Sequence, residues 1–144
     1  MRTYLRLLYF SLVIVLVAAF PLKNAQGGGK VEGGMPNMTV TEKDNNSTVE
    51  LSKGDVLAVM LEFSPGTGYS WQIVKNDANL LEPQGEPAIS AGTEQKNMPG
   101  AAEQATFRFR ALKSGTTVIA LHHKRPWEKE KEPLKVFSIT VKIK

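Results

Sequence analysis

The chain contains no cysteine among its 144 residues. No disulfide can constrain its unfolded state, so the fold must be held by core packing alone. Thiol nucleophiles, cysteine-ligated metals and a lipid-anchored cysteine behind the N-terminal apolar run are excluded with it. Histidine is almost as scarce: only His122 and His123 occur. Adjacent residues on a strand point to opposite faces, so the two rings cannot chelate one metal together. One is expected to pack inward and the other to meet water. No Gly-x-Ser-x-Gly elbow is present, and nothing assembles an acid, a base and a nucleophile. Glu62, inside the apolar run Val56 to Phe63, reads as an outward-facing charge. The expectation is a protein that is not an enzyme and uses no cofactor and no metal.

A surplus of one charge sign is also missing. The formal charge is +4, from 18 basic and 14 acidic residues. Arg2 and Arg6 precede an apolar run, Leu7 to Phe20, broken only by Ser11. That run is shorter than the about 20 apolar residues a membrane-spanning helix needs and fits the apolar region of a signal peptide. Residues 1–19 are read as that signal, cleaved after Val17-Ala18-Ala19 or as late as about residue 26, so the protein is expected to be exported to periplasm, medium or endomembrane lumen. Removing Arg2 and Arg6 leaves 16 basic residues against 14 acidic ones. The stretch Lys124 to Lys135 alternates sign, so a basic face for nucleic acid is not expected. No membrane association is expected after cleavage.

Residues 20–36 are glycine-rich, without periodicity, and read as a flexible linker. Residues 37–144 suffice for one domain with a single core, and sustained helical periodicity is absent from them. Short alternating runs take its place: Met38 to Thr41, Thr48 to Leu51, Val56 to Phe63, Ser70 to Val74, a short one near Ala88-Ile89, Thr106 to Arg110, Thr116 to His123 and Leu134 to Ile143. Trp71 and Ile73 are expected on one face, and Phe137, Ile139, Val141 and Ile143 on another. The class is all-β, an immunoglobulin-like β-sandwich of about seven to eight strands.

Two connections carry bulky aromatics where a turn is normally small and polar: Ser64-Pro65-Gly66-Thr67-Gly68-Tyr69 before Ser70-Trp71, and Arg125-Pro126-Trp127. Pro65 restricts its own φ and the backbone of Ser64, while Gly66 and Gly68 permit angles closed to other residues. On its own the first loop reads as a structural corner. The pair reads as a rigid recognition surface, since loops lie at the surface and Trp and Arg are enriched in binding hot spots.

Pro65-Gly66-Thr67-Gly68-Tyr69 resembles the Asn-Pro-Thr-Thr-Gly-Tyr loop of chagasin-type inhibitors of papain-like cysteine peptidases, and Arg125-Pro126-Trp127 matches that family's Arg-Pro-Trp loop. Met98-Pro99-Gly100-Ala101 falls where the family has a Gly-x-Gly-Gly-like loop. Ser64 stands for the family's Asn, Gly66 for its first Thr, and only Gly100 keeps the middle glycine pattern. The resemblance implies three loops gathered at one end of the sandwich as a wedge for the cleft of a cathepsin-like peptidase. Thr67 would approach the catalytic Cys and His, with Tyr69 and Trp71 as support. Trp127 would lie on the primed side, oriented or assisted by Arg125, and Met98 to Ala101 on the non-primed side. Inhibition would be reversible, tight and non-covalent, by a monomer. Two alternatives remain at this point: a non-inhibitory binding or adhesion module using the same loops, and a structural domain with Trp71 and Trp127 both in its core.

Overall fold

A computed structural model describes residues 35–92, 98 and 100–144. The signal and almost all of the linker expected from the sequence lie outside the described residues, as do 93–97 and Pro99. Nine strands are present among the described residues: β1 Met38–Thr41, β2 Thr48–Leu51, β3 Val56–Phe63, β4 Ser70–Lys75, β5 Leu81–Pro83, β6 Ala88–Ala91, β7 Glu103–Ala111, β8 Gly115–Lys124 and β9 Lys135–Ile143. One sheet runs β1-β3-β7-β5, with β6 also on β7; the other runs β2-β9-β8-β4. β1 pairs with β3, and β2 with β9, in parallel; all other pairs are antiparallel.

Period-two patterning builds the core. Leu57, Val59 and Leu61 of β3 and Ala105, Phe107, Phe109 and Ala111 of β7 turn inward from one sheet. Ile119 and Leu121 of β8 and Phe137, Ile139, Val141 and Ile143 of β9 meet them from the other. The chain crosses between sheets directly after β1, through a 3-10 turn at Glu42–Asp44 in which the Asp44 carboxylate accepts from the Thr41 N–H at 2.8 Å. Asn45 then clamps the turn to β9: its amide donates to the Val136 carbonyl at 3.2 Å and accepts from the Ser138 N–H at 2.8 Å.

One expectation needs correction and one needs refinement. The strand β5 lacked a sequence signal because it is three residues long and ends in Pro83. It forms because Leu81 is fully buried opposite Ala111, and an edge position asks no N–H of proline. β5 and β6 then lie end to end along β7, parted by a bend at Gly85 (φ +69°). Ile73 keeps the face of Trp71, since the two pair in regular register with Leu121 and His123, but it is 38% exposed, next to the register shift between Ile73 and Lys75. An irregularity of this kind bends the strand and re-aims its side chains.

The registers decide where the connections go. Phe63 and Ala91 both face Glu103, Ser70 faces Lys124, and His123 faces Lys135. The loops β3–β4, β6–β7 and β8–β9 therefore emerge at one end of the sandwich.

Candidate functional site

The central loop, Ser64 to Tyr69, is shaped from within. Pro65–Thr67 forms one 3-10 turn, with Pro65 at its start, where a missing N–H is harmless. The Thr67 hydroxyl donates to the Ser64 carbonyl at 2.6 Å, and the Thr67 N–H reaches the same oxygen at 3.2 Å. Gly68 closes the turn in the left-handed region, at φ +76°, donating to the Pro65 carbonyl at 3.3 Å. Ser64 thus acts in the turn through its backbone, and the Thr67 hydroxyl is engaged within the loop.

Arg125 joins this loop to the third one. Its Nε donates to the Thr67 carbonyl at 3.0 Å, across 58 residues of sequence. Its guanidinium carbon lies 4.6 Å from the centre of the Tyr69 ring, a cation–π arrangement. Nη1 pairs with Glu128 at 3.5 Å, and Glu128 also accepts from Lys131 at 2.9 Å. The hydrogen bond from Lys131, joined by the charges of Lys131 and Arg125, holds the Glu128 carboxyl below its ordinary range. Arg125 was expected to orient Trp127 or to add polar contacts; its contacts here run to Thr67, Tyr69 and Glu128.

Trp127 is 67% exposed, so it is no core residue, and its indole stands against Gly68. Trp71 is the opposite case: it is buried, and its Nε1–H donates to the Glu62 carbonyl at 2.9 Å. Between Trp71 and the loop lies His123, the inward-facing histidine. Its ring stacks on Trp71 (centroids 4.9 Å apart, planes 24° apart) and meets Tyr69 at 5.5 Å. Arg125, Tyr69, His123 and Trp71 form one column from the surface into the core. Burial, reinforced by Lys135 and opposed by Glu42, pushes the His123 pKa down, so the ring favours its neutral form.

The middle loop supplies Met98, 63% exposed, and Gly100 at φ +83°. The Ala101 N–H donates to the Met98 carbonyl at 3.1 Å, and the Gly92 N–H to the Ala102 carbonyl at 3.1 Å. Pro65 and Gly66 share with Met98, Gly100 and Ala101 a shallow hollow of about 260 Å³. A second hollow, about 370 Å³, separates the central loop from the base of the third and is lined by Ser64, Thr67, Tyr69, His123, Arg125 and Leu134, among others. The structure thus brings residues of all three loops together at one end of the sandwich; Pro99 lies outside the described residues. Sequence reasoning did not give Glu128 or His123 a place at the site. The available signal was spacing: His123 and Arg125 alternate onto one side of the β8 extension, opposite Tyr69 and Trp71.

The model of Chagasin family peptidase inhibitor I42 matches residues 50–141. Amoebiasin-2 of Entamoeba histolytica is 35% identical over 106 residues, covering 73% of this chain and 84% of that protein. The crystal structure of a cysteine protease inhibitor from Entamoeba histolytica superposes with a TM-score of 0.66 at 33% identity, over 76% of this chain and 99% of that one. The solution structure of Amebosin shares the fold at a TM-score of 0.56 and 24% identity, covering 76% of this chain and 99% of its own.

Proposed function

Because the chain belongs to the chagasin family of peptidase inhibitors, we propose that it occupies the active-site cleft of papain-like cysteine peptidases with three loops, reversibly and without a covalent bond. The central loop enters with Thr67 at its tip, Trp127 packs beside the cleft, and Met98 to Ala101 follow its other side. The observation that carries this reading is the tie between Arg125 and the Thr67 carbonyl, which joins two motif-bearing loops into one surface. A surface shaped before it meets its target loses little entropy on binding, so more of its contact energy appears as affinity.

The same tie accounts for a tip that is not cut. Thr67's carbonyl already accepts from a cationic donor, and a 3-10 turn closed by a left-handed glycine does not present an extended peptide bond to a thiolate. The chain is an inhibitor, not an enzyme. The family match sets aside the adhesion-module reading of the same loops.

Active-site titration of papain with the purified domain is expected to fall linearly to full inhibition at equimolar protein, with serine peptidases unaffected. Retention of full papain activity at micromolar inhibitor would sink the proposal.

Residues 1–19 serve, in this reading, as an export signal, and residues 37–144 act as the inhibitory domain outside the cytoplasm. The support is Arg2 and Arg6 ahead of the apolar run. N-terminal sequencing of the protein recovered from its source cells is expected to begin between about residues 20 and 27; a mature protein that begins at Met1 would refute it.

A further inference from the structure

His123 is 5% exposed, and among the described residues neither of its ring nitrogens has a hydrogen-bond partner. A buried polar ring normally finds a partner, so a ring left without one needs a reason. An aliphatic side chain would fill the space without that cost, but it would not offer an aromatic ring to Trp71 and Tyr69. The imidazole stacks on Trp71 and meets Tyr69 at a tilt of 45°. Tyr69 in turn carries the Arg125 guanidinium, and Arg125 holds the Thr67 carbonyl. The ring therefore lies one aromatic plate below the contact that shapes the loop tip.

We propose that His123 is a positioning residue for inhibition: its neutral ring seats Tyr69 and, through Arg125, the backbone of Thr67, and adding a proton to it loosens the central loop. The proposal rests on the central loop being the inhibitory one.

The charges around the ring favour this direction. On β9, Lys135 is the cross-strand partner of His123; beyond it Glu42, on the turn after β1, pairs with Lys135 at 3.4 Å. Arg125 and Glu62 line the same hollow as the ring. Lys124 follows on β8, and Tyr69 is the titratable group on the β4 side. The nearby acids do not accept from the imidazole: among the described residues no hydrogen bond reaches either nitrogen. An imidazolium stacked on Trp71 and close to Tyr69 gains some cation–π attraction, but two buried N–H donors without acceptors, carrying a charge beside Lys135, lose more. Burial is also the main cause of the ring's depressed pKa. Proton uptake is relieved when the ring moves towards water, and Tyr69 must shift to let it.

The test compares the wild type with His123→Phe and His123→Ala. Each is titrated against the same papain preparation from about pH 7.5 down to about pH 5, so that the enzyme's own profile cancels in the ratios. His123→Ala is expected to inhibit weakly throughout, and His123→Phe to recover inhibition by restoring the plate. The wild type is expected to lose affinity relative to His123→Phe progressively as the pH falls over this range. A constant ratio of wild type to His123→Phe overturns the proposal, as does full potency in His123→Ala.

A second measurement needs no peptidase. In a Trp127→Phe background the emission reports Trp71 alone, and protonating the ring stacked on it is expected to quench it at acid pH. That transition should vanish in Trp127→Phe/His123→Phe. Emission that does not titrate in the Trp127→Phe protein, while the wild type inhibits papain, overturns this proposal alone; absence of wild-type inhibition at every pH overturns the inhibitory reading and this one with it.

Discussion

The six-membered edge of the Trp127 indole rests on the α-carbon of Gly68: a β-carbon built there would lie 2.5 Å from Cη2 and 3.1 Å from Cζ2. Gly68 is therefore required twice, once for its φ of +76° and once for the space its missing side chain leaves. Gly68→Ala should displace Trp127 and strain the turn, at a cost of about 1–2 kcal/mol from the left-handed backbone alone. The expected result is a melting temperature lower by at least several degrees, together with a loss of papain inhibition larger than that fall explains. An unchanged inhibition constant would show that the Trp127–Gly68 contact plays no part.

Trp127→Ala separates binding from folding. An indole that is two-thirds exposed contributes little to the core, whereas a central aromatic anchor at an interface is worth about 2 kcal/mol or more. Inhibition should weaken by at least about thirtyfold at an unchanged melting temperature. Equal affinity would remove the third loop from the interface.

Trp71→Ala should do the reverse. Its side chain is buried, stacks on His123 and donates to the Glu62 carbonyl. Truncating a large core aromatic costs roughly 3–5 kcal/mol, a large part of the stability of a domain without disulfides. Urea unfolding is expected to shift its midpoint strongly downward. A shift of under about 1 kcal/mol would mean that the column does not support the fold.

The depressed pKa of His123 gives stability a pH dependence of definite sign. The unfolded chain takes up a proton near the ordinary value of about 6.5, and the folded chain only at lower pH. Its stabilising effect is therefore complete above about pH 6.5 and is lost progressively as pH falls through the folded pKa. Melting temperatures should decline through this window in the wild type and decline less in His123→Phe. Parallel curves for the two proteins would assign the acid sensitivity to other groups.

Most of the strand pattern was legible because alternation has a period of two and a sandwich buries one face of each strand. Phe137 to Ile143, Phe107 to Phe109 and Val56 to Phe63 could be read directly. Leu81–Pro83 could not: three residues ending in proline carry no periodicity, and only pairing with β7 makes them a strand. Trp71 and Ile73 share a face, as alternation has it, but alternation could not show that Ile73 is left exposed beside the register shift of β4.

At the site, residue types and their order along the chain were enough to single out both aromatic loops, since a Pro/Gly-framed turn and an Arg-Pro-Trp triplet are local facts. By itself the sequence determined what each loop is made of, the absence of any cross-link, and the alternation that makes a sandwich. Which residues would touch was decided only by the tertiary structure. The registers of β4 and β8 put Tyr69 and Trp71 beside His123 and bring Arg125 to the Thr67 carbonyl 58 residues away. Such contacts depend on strand pairing and on the packing of side chains against one another, and neither leaves a mark within a local window of sequence.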